Sequence, residues 1–385
     1  MMKKKYIYLT ILSCGLLLLG ACAKNVKTPQ TDDKSSVKVK KKSQKTKTDK
    51  LMQRVKKMSL NEKIGQLYFV HSSGNFEQEK QDVKKYQLGG ITLFGPDFQK
   101  RTHQQFLDQI SQYQTVSKTG LLVATDQEGG TVSRLNSNKE ISDRSYPSPR
   151  EVYQHGGLTA VEKEYSDVAA ILRKNGINMN FAPVADVAKN KSSFIYDRTV
   201  SQDYNETAKY VAASVKAIQN KKVAATLKHF PGYGDASDTH TGFAQINKSF
   251  TAYKNEDLLP FQAGIKAGAD GIMVSHIVIN SFDPKMPASL SPKIHNYLRK
   301  QMHYRGLIIT DDLQMGAITQ FAQRHHTNAD VLALKAGNDV ILGGNPQTGI
   351  PLIEQAVKKK QISKKQIDQS VYRILKLKEK LGILK

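Results

Sequence analysis

"VAATLKHFPGYGDASDTH", residues 223–240, begins as an unbroken small and apolar run and turns charged at Lys228 and His229. It then breaks into a loop of glycine, proline and short polar side chains. A run that is apolar at successive rather than alternate positions reads as a strand covered on both faces. Seven other stretches have the same character: "IGQLYFV" (64–70), "LGGITLF" (88–94), "GLLVATD" (120–126), "INMNFAPVAD" (177–186), "GIMVSHIVI" (271–279), "GLIITDD" (306–312) and "DVILGG" (339–344). Between them lie segments of helical period, such as "EKEYSDVAAILRKNG" (162–176) and "NETAKYVAASVKAIQNKK" (205–222), each closing on Gly, Asn or Lys. Eight buried strands joined by helices predict an α/β protein with a single (β/α)8 TIM-type barrel. The chain has no glycine-rich phosphate loop opening its first helix, which argues against a dinucleotide-binding sheet.

The charged residues strengthen this reading. Asp126, Asp186, Lys228, His229, His276 and Asp311 all fall at or just past the C-terminal ends of their runs. In a barrel those ends converge on one mouth, where active sites of this architecture lie. One such residue could be a turn former, but six from five different strands point to a site.

The net charge of +24 divides unevenly. Residues 24–50 hold ten Lys against three Asp, +7 of that total, with almost no large apolar side chain. Such a segment buries too little to offset its ordering entropy, so it is expected to be a disordered tether. The remaining excess suits a polyanionic neighbourhood such as a cell wall or membrane surface. No nucleic-acid recognition motif accompanies the charge, and no nucleic-acid partner is expected. The start, "MMKKKYIYLTILSCGLLLLGACAK", has a basic head, an apolar stretch and small residues before a Cys. It reads as a secretory signal rather than a membrane span. The "LGAC" at 19–22 resembles a bacterial lipobox, implying a lipid on Cys22. The expected organisation is a lipoprotein signal peptide over 1–21, the lipidated Cys22 and lysine-rich linker over 22–50, and one barrel domain over 51–385. Cys14 would leave with the signal, so neither a disulfide nor a thiolate metal site is expected in the body. The expected location is the outer face of the cell membrane, with the protein a monomer.

Three stretches, "TDQEGGTVSRL" (125–135), "KHFPGYGDASDTH" (228–240) and "RGLIITDDLQMGA" (305–317), resemble glycoside hydrolase family 3, in its N-acetyl-β-glucosaminidase branch. "MSLNEKIGQLYF" (58–69), "NFAPVADV" (180–187), "YDRTVS" (196–201) and "PASLSP" (287–292) support the resemblance, which extends over nearly the whole chain from about residue 51. It implies a retaining exo-β-N-acetylglucosaminidase acting on non-reducing N-acetylglucosamine, with peptidoglycan fragments as plausible substrates. By the same resemblance Asp311 is the nucleophile, His240 the acid/base and Asp238 its orienting partner. Asp126, Arg134, Arg198, Lys228 and His229 would hold the terminal sugar. A histidine suits proton transfer because its unperturbed pKa lies near neutrality. Asp312 is expected to point away from the reacting centre. Glu128 precedes "GG" in what reads as a structural turn and receives no role, and His276 is left between lining the pocket and being satisfied inside the barrel.

His229, Asp235, Asp238 and His240 are acceptable metal ligands by type. A barrel metallohydrolase, however, would gather ligands on several strands with His-x-His at an early strand end, and none occurs here. Neither metal nor cofactor is expected. The sequence departs from the family's usual "KHFPGHG" at Tyr233, and it contains no Trp, so any stacking on sugar falls to Tyr or Phe. Two alternatives stay open: a family 3 β-glycosidase of other sugar specificity, and a non-catalytic lipoprotein that binds cell-wall sugars.

Overall fold

All eight apolar runs form strands in the computed structural model of the chain, which describes residues 50–99 and 101–385. The expected signal peptide (1–21), the lipid site at Cys22 and the tether up to residue 49 lie outside the described residues. The strands are β1 Tyr68–His71, β2 Gly90–Leu93, β3 Leu122–Thr125, β4 Met179–Asn180, β5 Ala224–Phe230, β6 Gly271–Val274, β7 Leu307–Thr310 and β8 Ile341–Leu342. Each pairs in parallel with its sequence neighbour, and β8 pairs back onto β1 through Tyr68–Ile341 and Phe69–Leu342. Between β7 and β8 the ring closes through one parallel bridge, Ile309–Val340, where the Val340 N–H donates to the Ile308 carbonyl at 3.1 Å. The result is an eight-stranded parallel barrel of the TIM type. Its strands are short, and most of their residues have no exposure at all. That is why their sequences show continuous rather than alternating hydrophobicity.

Helices cover the outside, and their limits follow from local sequence. Asp203 caps Tyr204–Asn220 by accepting from the N–H groups of Asn205 and Glu206. The buried face of that helix runs Thr207, Tyr210, Val211, Ser214, Val215 and Ile218, the three- and four-residue spacing of one helical stripe. Ser148 opens Pro149–Lys174 with a capping box to Glu151, and Pro149 occupies the first helical turn where its missing N–H costs nothing.

Two packed regions matter for the site. The main core fills the barrel and the layer between strands and helices. A smaller cluster of Val184, Ala188, Ile195, Tyr233, Ala244, Tyr253, Ile277 and Ile279 lies under the loops that follow β4, β5 and β6. A two-residue parallel ribbon, Gln245–Ile246 with Val278–Ile279, ties the exit of the β5 loop to the β6 loop. The long loop after β5 therefore has its own apolar floor.

Candidate active site

The last residues of β5 place Lys228 and His229 at the mouth, and both are buried. Lys228 Nζ lies 2.5 Å from Asp126 Oδ1 and 2.5 Å from Glu128 Oε1. Asp126 follows directly on β3. Glu128 sits on a small antiparallel ribbon, Gln127–Gly129 against Val132–Ser133, and its side chain has 0% exposure. Arg198 closes on Glu128 with two hydrogen bonds, Nε to Oε2 at 2.9 Å and Nη2 to Oε1 at 2.8 Å. Burial alone would raise the Glu128 pKa, but Arg198 and Lys228 reverse this and hold the carboxyl far below its usual range. Burial likewise opposes the charge on Lys228, yet Asp126 and Glu128 outweigh it and raise its pKa. The four groups are a fixed ionic floor, each charge answered by another.

Sequence reasoning gave Glu128 no role, and it is the centre of this floor. Arg198 was expected to contact sugar; it spends Nε and Nη2 on Glu128, and Nη2 also reaches His229 Nε2 at 3.4 Å. Arg134 stands at the rim, with Nη2 3.9 Å from Asp126 Oδ2 and its guanidinium 5.9 Å from the Phe94 ring. Among the described residues its buried Nε has no hydrogen-bond partner.

Asp186, at the end of the fourth apolar run, organises His229. Its Oδ2 accepts from the His229 backbone N–H at 3.0 Å and from Nδ1–H at 2.7 Å, and its Oδ1 accepts from the Tyr233 N–H at 2.7 Å. With Nδ1 carrying that proton, His229 Nε2 is the acceptor atom of the ring, and Arg198 Nη2 donates to it at 3.4 Å. Asp186 was one of the six strand-end residues but was not singled out as a site residue.

Asp311 follows β7 and is 9% exposed. Its N–H donates to the Val274 carbonyl at 2.9 Å, and its Oδ1 accepts the Asp312 N–H at 2.8 Å. Burial resists its ionisation, but His229, His276, the Asp312 N–H and Lys228 together lower its pKa below the usual carboxylate value. Burial itself drives His276 toward the neutral form, so the lowering falls mainly to His229, the Asp312 N–H and Lys228. Asp312 points elsewhere, as expected. Its Oδ1 accepts the Gln314 N–H at 2.9 Å, and its Oδ2 lies 3.0 Å from His71 Nε2, outside hydrogen-bond alignment. His276 proves to be satisfied inside the barrel: Nε2–H donates to the Asp312 carbonyl at 2.8 Å and Nδ1 accepts from the Ser289 hydroxyl at 2.8 Å.

The loop after β5 carries Asp238 and His240. His240 donates to Asp238 Oδ1 through both its backbone N–H, at 2.9 Å, and Nδ1–H, at 2.6 Å. This leaves Nε2 on an imidazole whose side chain is 62% exposed. Between the pair, Thr239 is fully buried and held by Tyr233, whose hydroxyl accepts the Thr239 N–H at 2.9 Å and also bonds the Thr239 hydroxyl. Tyr233 thus anchors the loop from below, a role the sequence did not disclose. From the side, the N–H groups of Gly316 and Ala317, opening the helix Gly316–Arg324 just past Asp311, donate to the carbonyls of His240 and Thr239 at 3.0 and 3.1 Å. A side chain at Gly316 would place its Cβ 2.7 Å from the His240 carbonyl oxygen, so glycine is what lets the two segments approach. The two loops are joined backbone to backbone.

The mouth therefore brings together Asp126, Arg134, Lys228, His229, Arg198 and Asp311, with the Asp238–His240 pair on a loop docked at its edge. A buried ionised carboxylate can attack an electrophilic carbon, an exposed imidazole oriented by a carboxylate can move a proton, and the cationic and anionic rim can hold hydroxyls. Among the described residues, no group of three or more His, Cys, Asp or Glu side chains stands as metal ligands would.

Residues 59–377 match the glycosyl hydrolase family 3 N-terminal domain. A beta-hexosaminidase of Xanthomonas oryzae pv. oryzae is 33% identical over 277 residues, covering 70% of this chain and 80% of that protein. Among solved structures, a glycoside hydrolase family 3 beta-N-acetylglucosaminidase from Paenibacillus superposes with a TM-score of 0.78 at 29% identity. The match covers 85% of this chain and 63% of that one. A family 3 glycosyl hydrolase of Mycobacterium smegmatis superposes with a TM-score of 0.74 at 28% identity, covering 84% and 98%.

Proposed function

The chain belongs to glycosyl hydrolase family 3, and from that premise we propose that it is a retaining exo-β-N-acetylglucosaminidase. In this reading Asp126, Arg134, Arg198, Lys228 and His229 hold the terminal N-acetylglucosamine. The Asp311 carboxylate attacks the anomeric carbon as the glycosidic C–O bond breaks, giving a covalent glycosyl-enzyme. His240 Nε2–H gives its proton to the departing oxygen while Nδ1–H stays on Asp238. The neutral Nε2 then takes a proton from the water that releases the sugar and regenerates Asp311. Asp238 orients the ring and stabilises the imidazolium, the part a buried aspartate plays in a serine-protease triad.

The observation that carries the reading is Asp311, buried and held ionised, with the His240–Asp238 loop hydrogen-bonded to the helix that Asp311 introduces. The natural substrate we propose is a peptidoglycan fragment with non-reducing N-acetylglucosamine, met at the outer face of the membrane by a protein tethered through a lipid on Cys22. The test is hydrolysis of a chromogenic N-acetyl-β-glucosaminide and the matching β-glucoside by the wild-type protein and by Asp311→Asn. Selective release from the N-acetylated substrate, lost in the variant, supports the reading. Equal turnover by Asp311→Asn overturns the nucleophile. Sugar binding with no release by wild type moves the assignment to a binding lipoprotein.

A further inference from the structure

The charge of the barrel is divided between its two ends. Helices of this architecture run antiparallel to the strands, so each helix C-terminus and the turn after it lie at the end opposite the mouth. The stretches leading into the eight strands (51–67, 84–89, 114–121, 172–178, 219–223, 265–270, 299–306 and 335–339), together with the segment 357–385, hold 26 Lys and Arg against five Asp and Glu. The remainder of residues 51–385 holds 19 against 26. One end therefore carries a formal +21, and the half that bears the mouth −7.

Helix ends explain part of the asymmetry. Lys85, Lys174, Lys266, Lys335 and Lys358 stand in the last turns of their helices, where a cation answers the negative end of the helix dipole. The excess continues beyond them. The helix Lys364–Leu381 lies across this end of the barrel. Ser370 Oγ donates to Asp339 Oδ1 at 2.7 Å just before β8, and Lys378 Nζ donates to Gln66 Oε1 at 2.7 Å just before β1. Lys380 Nζ reaches Asp270 Oδ1 at 2.6 Å just before β6. Ile367, Val371, Ile374 and Leu381 form the buried stripe of this helix, and Lys365 and Lys376 are exposed on its outer side. Lys118, Lys222 and Lys360, in the turns, are exposed as well. The basic groups spread over a plate rather than lining a groove.

The chain enters the barrel on this same face. Residues 50–57 are helical, with Leu51 and Val55 in the main core. Burial drives the Lys378 amine toward its neutral form, and Arg54 lies close enough for its charge to add to that effect. The lysine-rich linker, proposed above to carry a lipid on Cys22, therefore joins the barrel through the basic face.

We propose that this face docks on the anionic headgroups of a phospholipid bilayer and so points the mouth away from the membrane. The inference deepens the reading of a lipid-tethered glycosidase given above and rests on it. A soluble polyanion is followed by a stripe or groove of cations, whereas a plate next to a membrane tether meets an extended anionic surface. Lysines held within a Debye length of that surface are attracted to it. The net negative half around the mouth is repelled by the same surface.

The experiment places the full-length lipidated protein on vesicles of phosphatidylcholine alone, or of phosphatidylcholine mixed with phosphatidylglycerol. Exposed amines are acylated with a water-soluble reagent, and the modified lysines are mapped by mass spectrometry. Acylation of Lys118 and Lys222 should slow by about fivefold or more on the anionic vesicles, the factor one lysine near such a surface contributes. Lys139 and Lys191, exposed on the mouth half, should react equally on both, and raised salt should remove the protection. The triple variant Lys359→Glu, Lys365→Glu, Lys376→Glu leaves the linker untouched. It should lose the protection while keeping wild-type thermal unfolding and turnover of the chromogenic N-acetyl-β-glucosaminide. Equal acylation on the two vesicles, or equal protection of both halves, overturns the inference. Protection by soluble polyphosphate but not by anionic vesicles also overturns it and assigns the face to a soluble polyanion. Flotation with neutral vesicles tests the Cys22 lipid separately, and wild-type turnover tests the glycosidase, so failure of either reading is distinguishable from failure of the docking.

Discussion

Replacing Tyr233 with phenylalanine removes one oxygen and nothing else from the support of the His240 loop. The ring keeps its edge-on contacts with His229, at 5.5 Å between centroids, and with Phe194, at 5.1 Å. The Thr239 N–H, fully buried, loses its only side-chain acceptor, and the Thr239 hydroxyl loses a partner with it. Leaving a buried donor unpaired costs about 1–3 kcal/mol. That cost falls on the docked loop alone, because a lifted loop returns Thr239 to water. The docked form should lose ground to the lifted one by about 5–150-fold, the range that corresponds to that energy. Only the step that needs His240 in place should suffer. The assay is kcat/KM for two aryl N-acetylglucosaminides, one with an acidic phenol as leaving group and one with a weakly acidic phenol. The second should fall much further than the first, since its departure needs the proton. A uniform fall for both would mean that Tyr233 supports the sugar site instead. An unchanged pair would refute the claim that its hydroxyl holds the loop.

Three other outcomes follow from named contacts. Glu128→Gln removes the one anion that both Arg198 and Lys228 contact directly in this buried setting; urea unfolding should register a loss of about 3–5 kcal/mol. An unchanged midpoint would contradict the ionic floor. Asp330, buried and accepting from the Tyr68 hydroxyl at 2.8 Å, has its pKa pushed up by burial to about 6 from 3.8. The folded state then holds this proton more tightly than the unfolded state, so its contribution is intact below pH 3.8 and is lost as pH rises through about 6. Asp330→Asn should therefore match wild type at pH 4 and exceed it by up to about 3 kcal/mol at pH 8, measured by denaturation at both values; a constant difference across pH would refute this. Gly343→Ala must displace Asp312 from beside His71 and adopt a left-handed φ, so it should lower stability by about 1–3 kcal/mol in thermal unfolding and slow turnover. Wild-type values for both would show that the wall beside Asp311 is more yielding than its contacts imply.

The barrel was legible because buried parallel strands write themselves as continuous apolar runs, and all eight did so. The mouth was legible for a related reason: strand ends are fixed by the same pattern, so charged residues just beyond them are placed without knowing any contact. Asp311, Lys228, His229 and Asp126 were found that way. What escaped was set by contacts between loops distant in sequence. Glu128 and Arg198 stand 70 residues apart, and nothing local to "DQEGG" announces an arginine partner. Asp186 was seen as a strand end, but its grip on the backbone N–H groups of His229 and Tyr233 depends on how the chain turns after β5. Tyr233 was noticed only as a departure from the family's histidine. Its use as the acceptor for Thr239 required the fold of the loop itself.

The most direct measurement is to trap the covalent intermediate. Wild-type protein would be incubated with a fluorinated N-acetylglucosaminide that forms the glycosyl-enzyme quickly and releases it slowly, digested, and analysed by mass spectrometry. The account requires one added sugar mass on the peptide containing Asp311, absent in Asp311→Asn. A sugar mass on another carboxylate, or hydrolysis with inversion and no adduct, would contradict it.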